Sequence, residues 1–67
     1  MITIKKVGKN EYGYWCIFTY DTDFLTINGI ASTKLDKLED NHSYANLKVI
    51  VNSKNGKTFY NILKKDN

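Results

Sequence analysis

Apolar and polar residues alternate along several short stretches of the chain, which is the pattern of half-buried β-strands. Residues 2–7 begin with this alternation. Residues 14–20 are dense in aromatic and β-branched side chains, which strands favour. After the short polar segment 21–23, residues 24–28 repeat the pattern. The sequence therefore predicts one strand followed by a β-hairpin.

The clearest turn signal lies in the second half of the chain. Asn55-Gly56 separates two strand-like runs at residues 47–51 and 58–63. Both central residues of a type I′ turn need positive φ, which asparagine and glycine tolerate. We therefore expect a second hairpin here, followed by a frayed polar tail at residues 64–67.

One segment departs from the strand pattern and predicts a helix. Leu35 and Leu38, within residues 32–40, are three positions apart and would share one helical face. Ser32 or Thr33 can cap the first turn, and Asp36 follows Thr33 three residues later as in a capping box. A helix of about two to three turns is unstable alone, so we expect it to plug or cover another part of the fold.

The predicted order of elements is β-β-β-α-β-β in a single domain covering residues 1–67. A small sheet exposes open edges, and closure into a barrel removes them. We therefore expect a mainly β fold, namely a small five-stranded barrel with one short helix between strands 3 and 4.

This order of elements resembles a small OB-fold domain of the single-stranded-DNA-binding type. Residues 47–62, with the turn Asn55-Gly56-Lys57 and the aromatic strand after it, are similar to the last hairpin of such domains. The resemblance implies a binding surface on strands 2 and 3 and on the loops that join strands 1–2 and 4–5. Phages encode many small OB proteins, and the abundant lysine, asparagine and isoleucine, whose codons are AT-rich, fit a phage or a low-GC bacterium.

The resemblance also assigns candidate residues for nucleic-acid binding. The candidates are Lys9, Asn10 and Tyr12 in the first loop, and Lys54, Asn55 and Lys57 in the last. Aromatic side chains of the strands would stack on bases, a contact worth about 1–3 kcal/mol per base. These aromatic candidates are Tyr14, Phe18, Tyr20 and Phe24.

The alternation does not decide which side of the strand at residues 14–20 is buried, because both sides are apolar. We predict that Trp15 and Ile17 point inward, which leaves the four aromatic candidates exposed. The alternative buries Cys16 and Phe18 and exposes the ring of Trp15. In a third interpretation, a second copy of the chain or a protein partner covers the aromatic face, since protein interfaces are also rich in aromatic residues.

The net charge of +3 is unevenly distributed, because residues 1–20 and 47–67 are basic and residues 21–46 are acidic. Basic ends paired in one sheet would make one side electropositive and attract polyanions. Alternatively, the lysines only keep the surface soluble. The chain has no arginine, so bidentate phosphate contacts are absent and binding should be lysine-driven and salt-sensitive.

Residue types that support catalysis are scarce. The chain has one cysteine and one histidine, too few for a zinc site, and no glycine-rich phosphate loop. It has no apolar run near the roughly 20 residues of a membrane helix and no signal-peptide-like start. We therefore expect a cytoplasmic, non-enzymatic module without cofactor or metal that binds single-stranded nucleic acid. The alternative is a protein-interaction module that uses the same aromatic face, either as an inhibitor of a host enzyme or as a homo-oligomeric structural protein such as a homodimer.

Overall fold

The computed structural model describes residues 1–65 and is built mainly from β-strands. Its six strands are β1 (Ile2–Asn10), β2 (Gly13–Asp21), β3 (Thr26–Thr33), β4 (His42–Tyr44), β5 (Leu47–Lys54) and β6 (Lys57–Lys64). The expected mainly β class is confirmed. The described residues include no helix long and apolar enough to cross a membrane. The frayed tail predicted at residues 64–67 is wrong at its start, because Lys64 belongs to β6 and the Lys65 N–H donates to the Asn46 carbonyl at 2.8 Å, and residues 66–67 lie outside the described residues.

The strands form one sheet in the order β4-β1-β2-β3-β6-β5. β1, β2 and β3 are an antiparallel meander, and β4 returns to pair with β1, which is a Greek-key order. β6 pairs in parallel with β3, and β5 pairs antiparallel with β6. Within the described part of the chain the sheet is open, with β4 and β5 as its edges, and the five-stranded barrel with a helix is not seen.

The sheet coils strongly even though it stays open. A flat sheet would form a layer about 10 Å thick, whereas the smallest extent of the molecule is 24 Å. In β1 the pairing register shifts between Ile4 and Lys6, which is a bulge that bends the strand. The concave side, called the inner side below, wraps around the core.

The core is small and comes from five of the strands. The ring of Phe18 contacts the ring of Tyr60 edge to face, with centroids 5.5 Å apart. Beside these rings there is little space, because a Cβ atom on Gly29 would lie 3.1 Å from Tyr60 Cε2. The buried apolar residues are Ile2, Ile4, Cys16, Phe18, Ala31, Leu47 and Ile62.

The helix predicted at residues 32–40 is wrong. Thr33 belongs to β3, and the segment 34–41 that follows has no regular structure. The Thr33 hydroxyl donates to the Ile62 carbonyl at 2.9 Å and accepts from the Leu35 N–H at 3.1 Å. The side chain expected to cap a helix therefore links β3 to β6, and a helix this short has too little stability of its own to compete.

The connecting segment 34–41 nevertheless covers the core, as the leucine spacing predicted. Leu35 and Leu38 pack against the buried cluster. A carboxylate oxygen of Asp40 accepts a hydrogen bond from the Val7 N–H at 2.8 Å, which anchors the end of the segment to β1 just after the bulge. The spacing thus identified two residues of a covering segment but not the backbone conformation of that segment.

Both predicted hairpins form. Asn55 and Gly56 have φ values of 53° and 75°, and they join β5 to β6 across the pair Lys54 and Lys57, as a type I′ turn requires. The hairpin of β2 and β3 also forms, but its turn is longer than expected. The last pair of its ladder joins residues 21 and 26, so residues 24 and 25 lie in the turn and not in β3.

Candidate nucleic-acid interface

The convex side of the sheet, called the outer side below, carries an ordered row of side chains. Cys16 and Ile62 are fully buried, so their neighbours along β2 and β6 point away from the core. Pairing across β1, β2, β3, β6 and β5 aligns five of these outward positions. They are Gly8, Trp15, Ser32, Asn61 and Ile50.

The prediction that Trp15 and Ile17 point inward is wrong. Cys16 and Phe18 are each 0% exposed, whereas Trp15 and Ile17 are partly exposed on the outer side. The coil of the sheet encloses the side that carries Phe18. On the other side, Gly8 makes room for the indole, because a Cβ atom there would lie 2.2 Å from Trp15 Cζ2. The alternative interpretation, with Trp15 as the outward ring, is confirmed.

The four aromatic candidates of strands 2 and 3 therefore have different surroundings. Phe18 lies in the core and is unable to stack on a ligand, and Tyr20 packs against that core. Phe24 is 95% exposed but lies in the turn after β2, at the far end of that strand from Tyr14. Tyr14 is half-buried at the start of β2. The structure thus does not form the continuous aromatic platform that was expected.

Three candidates do come together at the hairpin of β1 and β2. Lys9 Nζ lies 5.5 Å from the centroid of the Tyr14 ring, within cation–π range. The side-chain oxygen of Asn10 accepts from the Tyr12 N–H at 2.9 Å, which fixes the turn. This leaves the ring of Tyr12 90% exposed.

The candidates of the last hairpin are not part of this cluster. Lys54, Asn55 and Lys57 are exposed at the tip between β5 and β6. Because β6 runs parallel to β3, the tip lies at the end of the sheet where β3 begins. The hairpin of β1 and β2 lies at the opposite end, where β3 finishes, since β2 pairs antiparallel with β3.

A groove of about 640 Å³ opens beside the hairpin of β1 and β2. Its walls come from that hairpin, from the end of β3 and from the outer positions of β5 and β6. Among residues 1–65, no aspartate or glutamate belongs to its lining. The aromatic, amide and cationic groups that line it are Tyr12, Tyr14, Asn10, Asn52, Asn61 and Lys34.

The polar groups on the sheet side of the groove have a fixed spacing. Ser32 and Asn61 are direct neighbours across β3 and β6. Asn52 is a diagonal neighbour of Asn61, because Asn61 pairs with Ile50 and Asn52 pairs with Phe59. Diagonal neighbours on one face are about 7–8 Å apart. The side-chain amides of Asn52 and Asn61 make no hydrogen bond to any other residue in the described range 1–65.

Sequence reasoning missed Ser32, Lys34, Asn52 and Asn61. These residues come from strands distant in sequence and meet only because β6 pairs with β3. One available signal was that Asn61 precedes the apolar Ile62, which places the amide on the side opposite the core.

The two reactive side chains, Cys16 and His42, lie in different surroundings. Burial raises the pKa of the Cys16 thiol from 9.0 to about 11, partly offset by a backbone hydrogen bond from Ala31, so the thiol is protonated near neutral pH. His42 lies on the exposed strand β4, with Nε2 3.2 Å from a carboxylate oxygen of Glu39. Residues 1–65 contain no group of three or more His, Cys, Asp or Glu side chains that could hold a metal ion.

Comparison of the chain with protein-family models, with curated proteins and with solved structures gives no match. The assignment to the OB class therefore stays a prediction.

Proposed function

We propose that this chain binds single-stranded nucleic acid in the groove beside the hairpin of β1 and β2. The observation that carries the proposal is the composition of the lining, which combines two tyrosine rings and a lysine and has no carboxylate among the described residues. The Greek-key order and the open sheet support the finer hypothesis that the fold belongs to the OB class.

Exposed aromatic rings favour a single strand over a duplex. Tyr12 and Tyr14 line the groove together, and the Tyr12 ring is almost fully accessible. In a duplex the base faces are stacked on one another, whereas a single strand presents them to aromatic side chains. The volume of about 640 Å³ lies within the range of known ligand sites.

The charges around the groove favour an anionic ligand. Lys34 lines it, and Lys9 Nζ lies 5.5 Å from the centroid of the Tyr14 ring, which also lines it. Each phosphate contact on a single strand contributes about −0.7 to the slope of log K against log salt, so two contacts predict a slope of about −1.4. Affinity should then fall about seven-fold between about 50 mM and 200 mM salt.

The test is a fluorescence-anisotropy titration of a labelled single strand of about 12 nucleotides, a length within the range of known OB sites. A duplex of the same sequence is the control ligand. Tyr12→Ala should weaken binding by about 5- to 150-fold, which corresponds to the loss of one stacking contact of about 1–3 kcal/mol.

A matched variant controls for the loss of an exposed aromatic ring. Phe24 is 95% exposed, and Tyr12 is 90% exposed, but Phe24 lies in the turn between β2 and β3, outside the groove. Phe24→Ala should bind as the wild type does. The proposal fails if no saturable binding occurs at low salt, if the duplex binds equally well, or if both variants lose the same affinity.

A second candidate function is supported by the outer side of β2 and β3. Ile17 and Ile30 are cross-strand neighbours there, and Ile30 is 65% exposed. Apolar surface of this kind is common at protein interfaces. Sedimentation velocity over a range of concentrations tests whether this surface forms a homodimer. Self-association that is lost in the Ile30→Thr variant would support an interface on this side. A monomer at every concentration would reject self-association.

A further inference from the structure

Two asparagines of the chain are followed directly by glycine. They are Asn28, which precedes Gly29, and Asn55, which precedes Gly56. The side-chain carbonyl carbon of an asparagine is open to attack by the backbone nitrogen of the next residue, and glycine hinders that attack least because it has no Cβ atom. Both asparagines are exposed to solvent. Since the two dipeptides share the same covalent chemistry, a difference in their reactivity must come from the fold.

Asn28 is held away from the reactive geometry. It lies within β3, opposite Thr19 of β2, and its side-chain oxygen accepts a hydrogen bond from the Thr19 hydroxyl at 2.7 Å. The packing around Gly29 is close, because an added Cβ atom would lie 3.1 Å from Tyr60 Cε2. The backbone of Asn28 must rotate about its Cα–C bond before the glycine nitrogen can reach the side-chain carbon. Inside a ladder, that rotation breaks strand pairs on both sides of the residue.

Asn55 lies at the tip of the hairpin of β5 and β6, where the backbone is easier to rotate. The pair Lys54 and Lys57 closes the turn at the end of the ladder. The Asn55 side chain makes no hydrogen bond to another residue in the range 1–65. A Cβ atom added to Gly56 would meet no atom of a non-neighbouring residue within 4 Å. The end of a hairpin opens at a small cost in free energy, whereas a central strand opens only with a large part of the fold.

We propose that Asn55 is a site of spontaneous deamidation. The Gly56 nitrogen bonds to the side-chain carbonyl carbon of Asn55, and the bond from that carbon to the amide nitrogen breaks. The amide nitrogen leaves as ammonia with the proton of the Gly56 N–H. Water then opens the resulting cyclic imide at one of its two carbonyl groups. One opening gives aspartate, and the other gives isoaspartate, in which the main chain runs through the former side-chain carbonyl.

Both products change the tip of this hairpin. Each places a carboxylate between Lys54 and Lys57, which lowers the positive charge of the tip. Aspartate keeps the turn, because Asp-Gly suits a type I′ turn as Asn-Gly does. Isoaspartate adds a carbon atom to the main chain of a two-residue turn, so the pairing of β5 with β6 should weaken at that end.

The test uses the full chain without a ligand, so its result does not depend on the proposed function. One sample is incubated folded and a second is incubated unfolded in guanidinium chloride, both at mildly alkaline pH because the attacking nitrogen must lose its proton. Proteolysis and tandem mass spectrometry then locate the modified residues. In the unfolded chain, Asn28 and Asn55 should deamidate at comparable rates. In the folded chain, Asn55 should react at least about ten-fold faster than Asn28, because the tip opens more easily than β3.

Asn55→Asp is the matched variant. It has no amide to lose at this position and carries the charge of the product, so it should elute from an ion-exchange column with the aspartate form of the aged wild type. Equal rates at Asn28 and Asn55 in the folded chain would overturn the proposal. Modification of Asn55 in the unfolded sample alone would also overturn it, because the turn would then protect the residue.

Discussion

Large apolar side chains occur on both the inner and the outer side of the sheet, but those that are fully buried lie on the inner side. Phe18 on the inner side is 0% exposed, whereas Ile30, on the adjacent strand and the outer side, is 65% exposed. The inner side is enclosed because the sheet coils and because Leu35 and Leu38 of the connecting segment cover it. The outer side has no such cover within residues 1–65. In this molecule, curvature and cover determine which apolar side chains form the core, and hydrophobicity alone does not.

The largest expected effect separates the two sides directly. Phe18→Ala should lower the free energy of unfolding by about 3–5 kcal/mol, because it removes a buried ring and leaves a cavity beside Tyr60. Ile30→Thr on the outer side should change it by less than about 0.5 kcal/mol. Urea denaturation followed by far-UV circular dichroism measures both, and Phe18→Leu provides a milder variant if the alanine variant does not fold. Comparable losses for Phe18→Leu and Ile30→Thr would contradict the assignment of the sides.

The protonation of Cys16 gives a second test of the burial of the inner side. Burial raises its pKa from 9.0 to about 11 in the folded chain, so the unfolded chain loses this proton first. The thiol's contribution to stability is therefore complete below pH 9 and is lost as the pH rises through 9 towards 11. The loss amounts to about 2–3 kcal/mol, since one pKa unit corresponds to about 1.4 kcal/mol.

Cys16→Ala is the control for this titration. The variant is less stable at neutral pH, but its stability should decline less between pH 9 and 11, because every other titrating group is shared. Parallel pH profiles for the two proteins would show that the thiol does not contribute.

Two threonine hydroxyl groups on β3 test the same comparison with polar groups. Thr33→Val removes a buried hydroxyl that bonds to the Ile62 carbonyl and the Leu35 N–H, and should cost about 1–2 kcal/mol. Thr26→Val removes an exposed hydroxyl that donates to an Asp21 carboxylate oxygen at 2.7 Å, and should cost less than about 0.5 kcal/mol. Thermal denaturation ranks the two, and a reversed ranking would be inconsistent with an inner position for Thr33.

The smallest effect concerns the packing of Trp15 over Gly8. A methyl group at position 8 would lie 2.2 Å from Trp15 Cζ2, so Gly8→Ala must displace the indole. The ring is partly exposed and can move, so we expect a cost of about 1 kcal/mol, at the low end for overpacking. The chain has one tryptophan, so its fluorescence reports the change directly, with emission shifted to longer wavelength. An unchanged spectrum would show that the indole does not lie on Gly8.

Much of the fold could be predicted from the sequence because its signals are local. Alternation located the strands, and Asn55-Gly56 located a turn whose backbone angles need those two residues. The ends of the strands were harder to predict. Leu25 looked like a strand residue, but its N–H donates to the Thr22 hydroxyl at 3.0 Å, which holds it in the turn. The helix failed because the capping hydroxyl of Thr33 bonds across the sheet, a contact that no local pattern encodes.

The same distinction between local and non-local signals applies to the residues of the candidate groove. Tyr12 and Tyr14 could be proposed from the sequence because one hairpin brings them together. Ser32 and Asn61 could not be connected, because they are neighbours only through the parallel pairing of β3 with β6. The buried side of β2 was also undetermined, since its two sides are equally apolar and the coil of the sheet makes the choice.

That parallel pairing has a kinetic consequence. The meander of β1 to β3 and the hairpin of β5 and β6 form from contacts close in sequence, whereas β3 meets β6 only between residues 31–33 and 60–62. Closing the loop between these two segments costs about 3 kcal/mol of chain entropy. Docking of the hairpin on the meander should therefore be the late and slow step of folding. The meander and the hairpin both contribute walls of the groove. A single strand of nucleic acid bound there would therefore also hold the two together and slow unfolding.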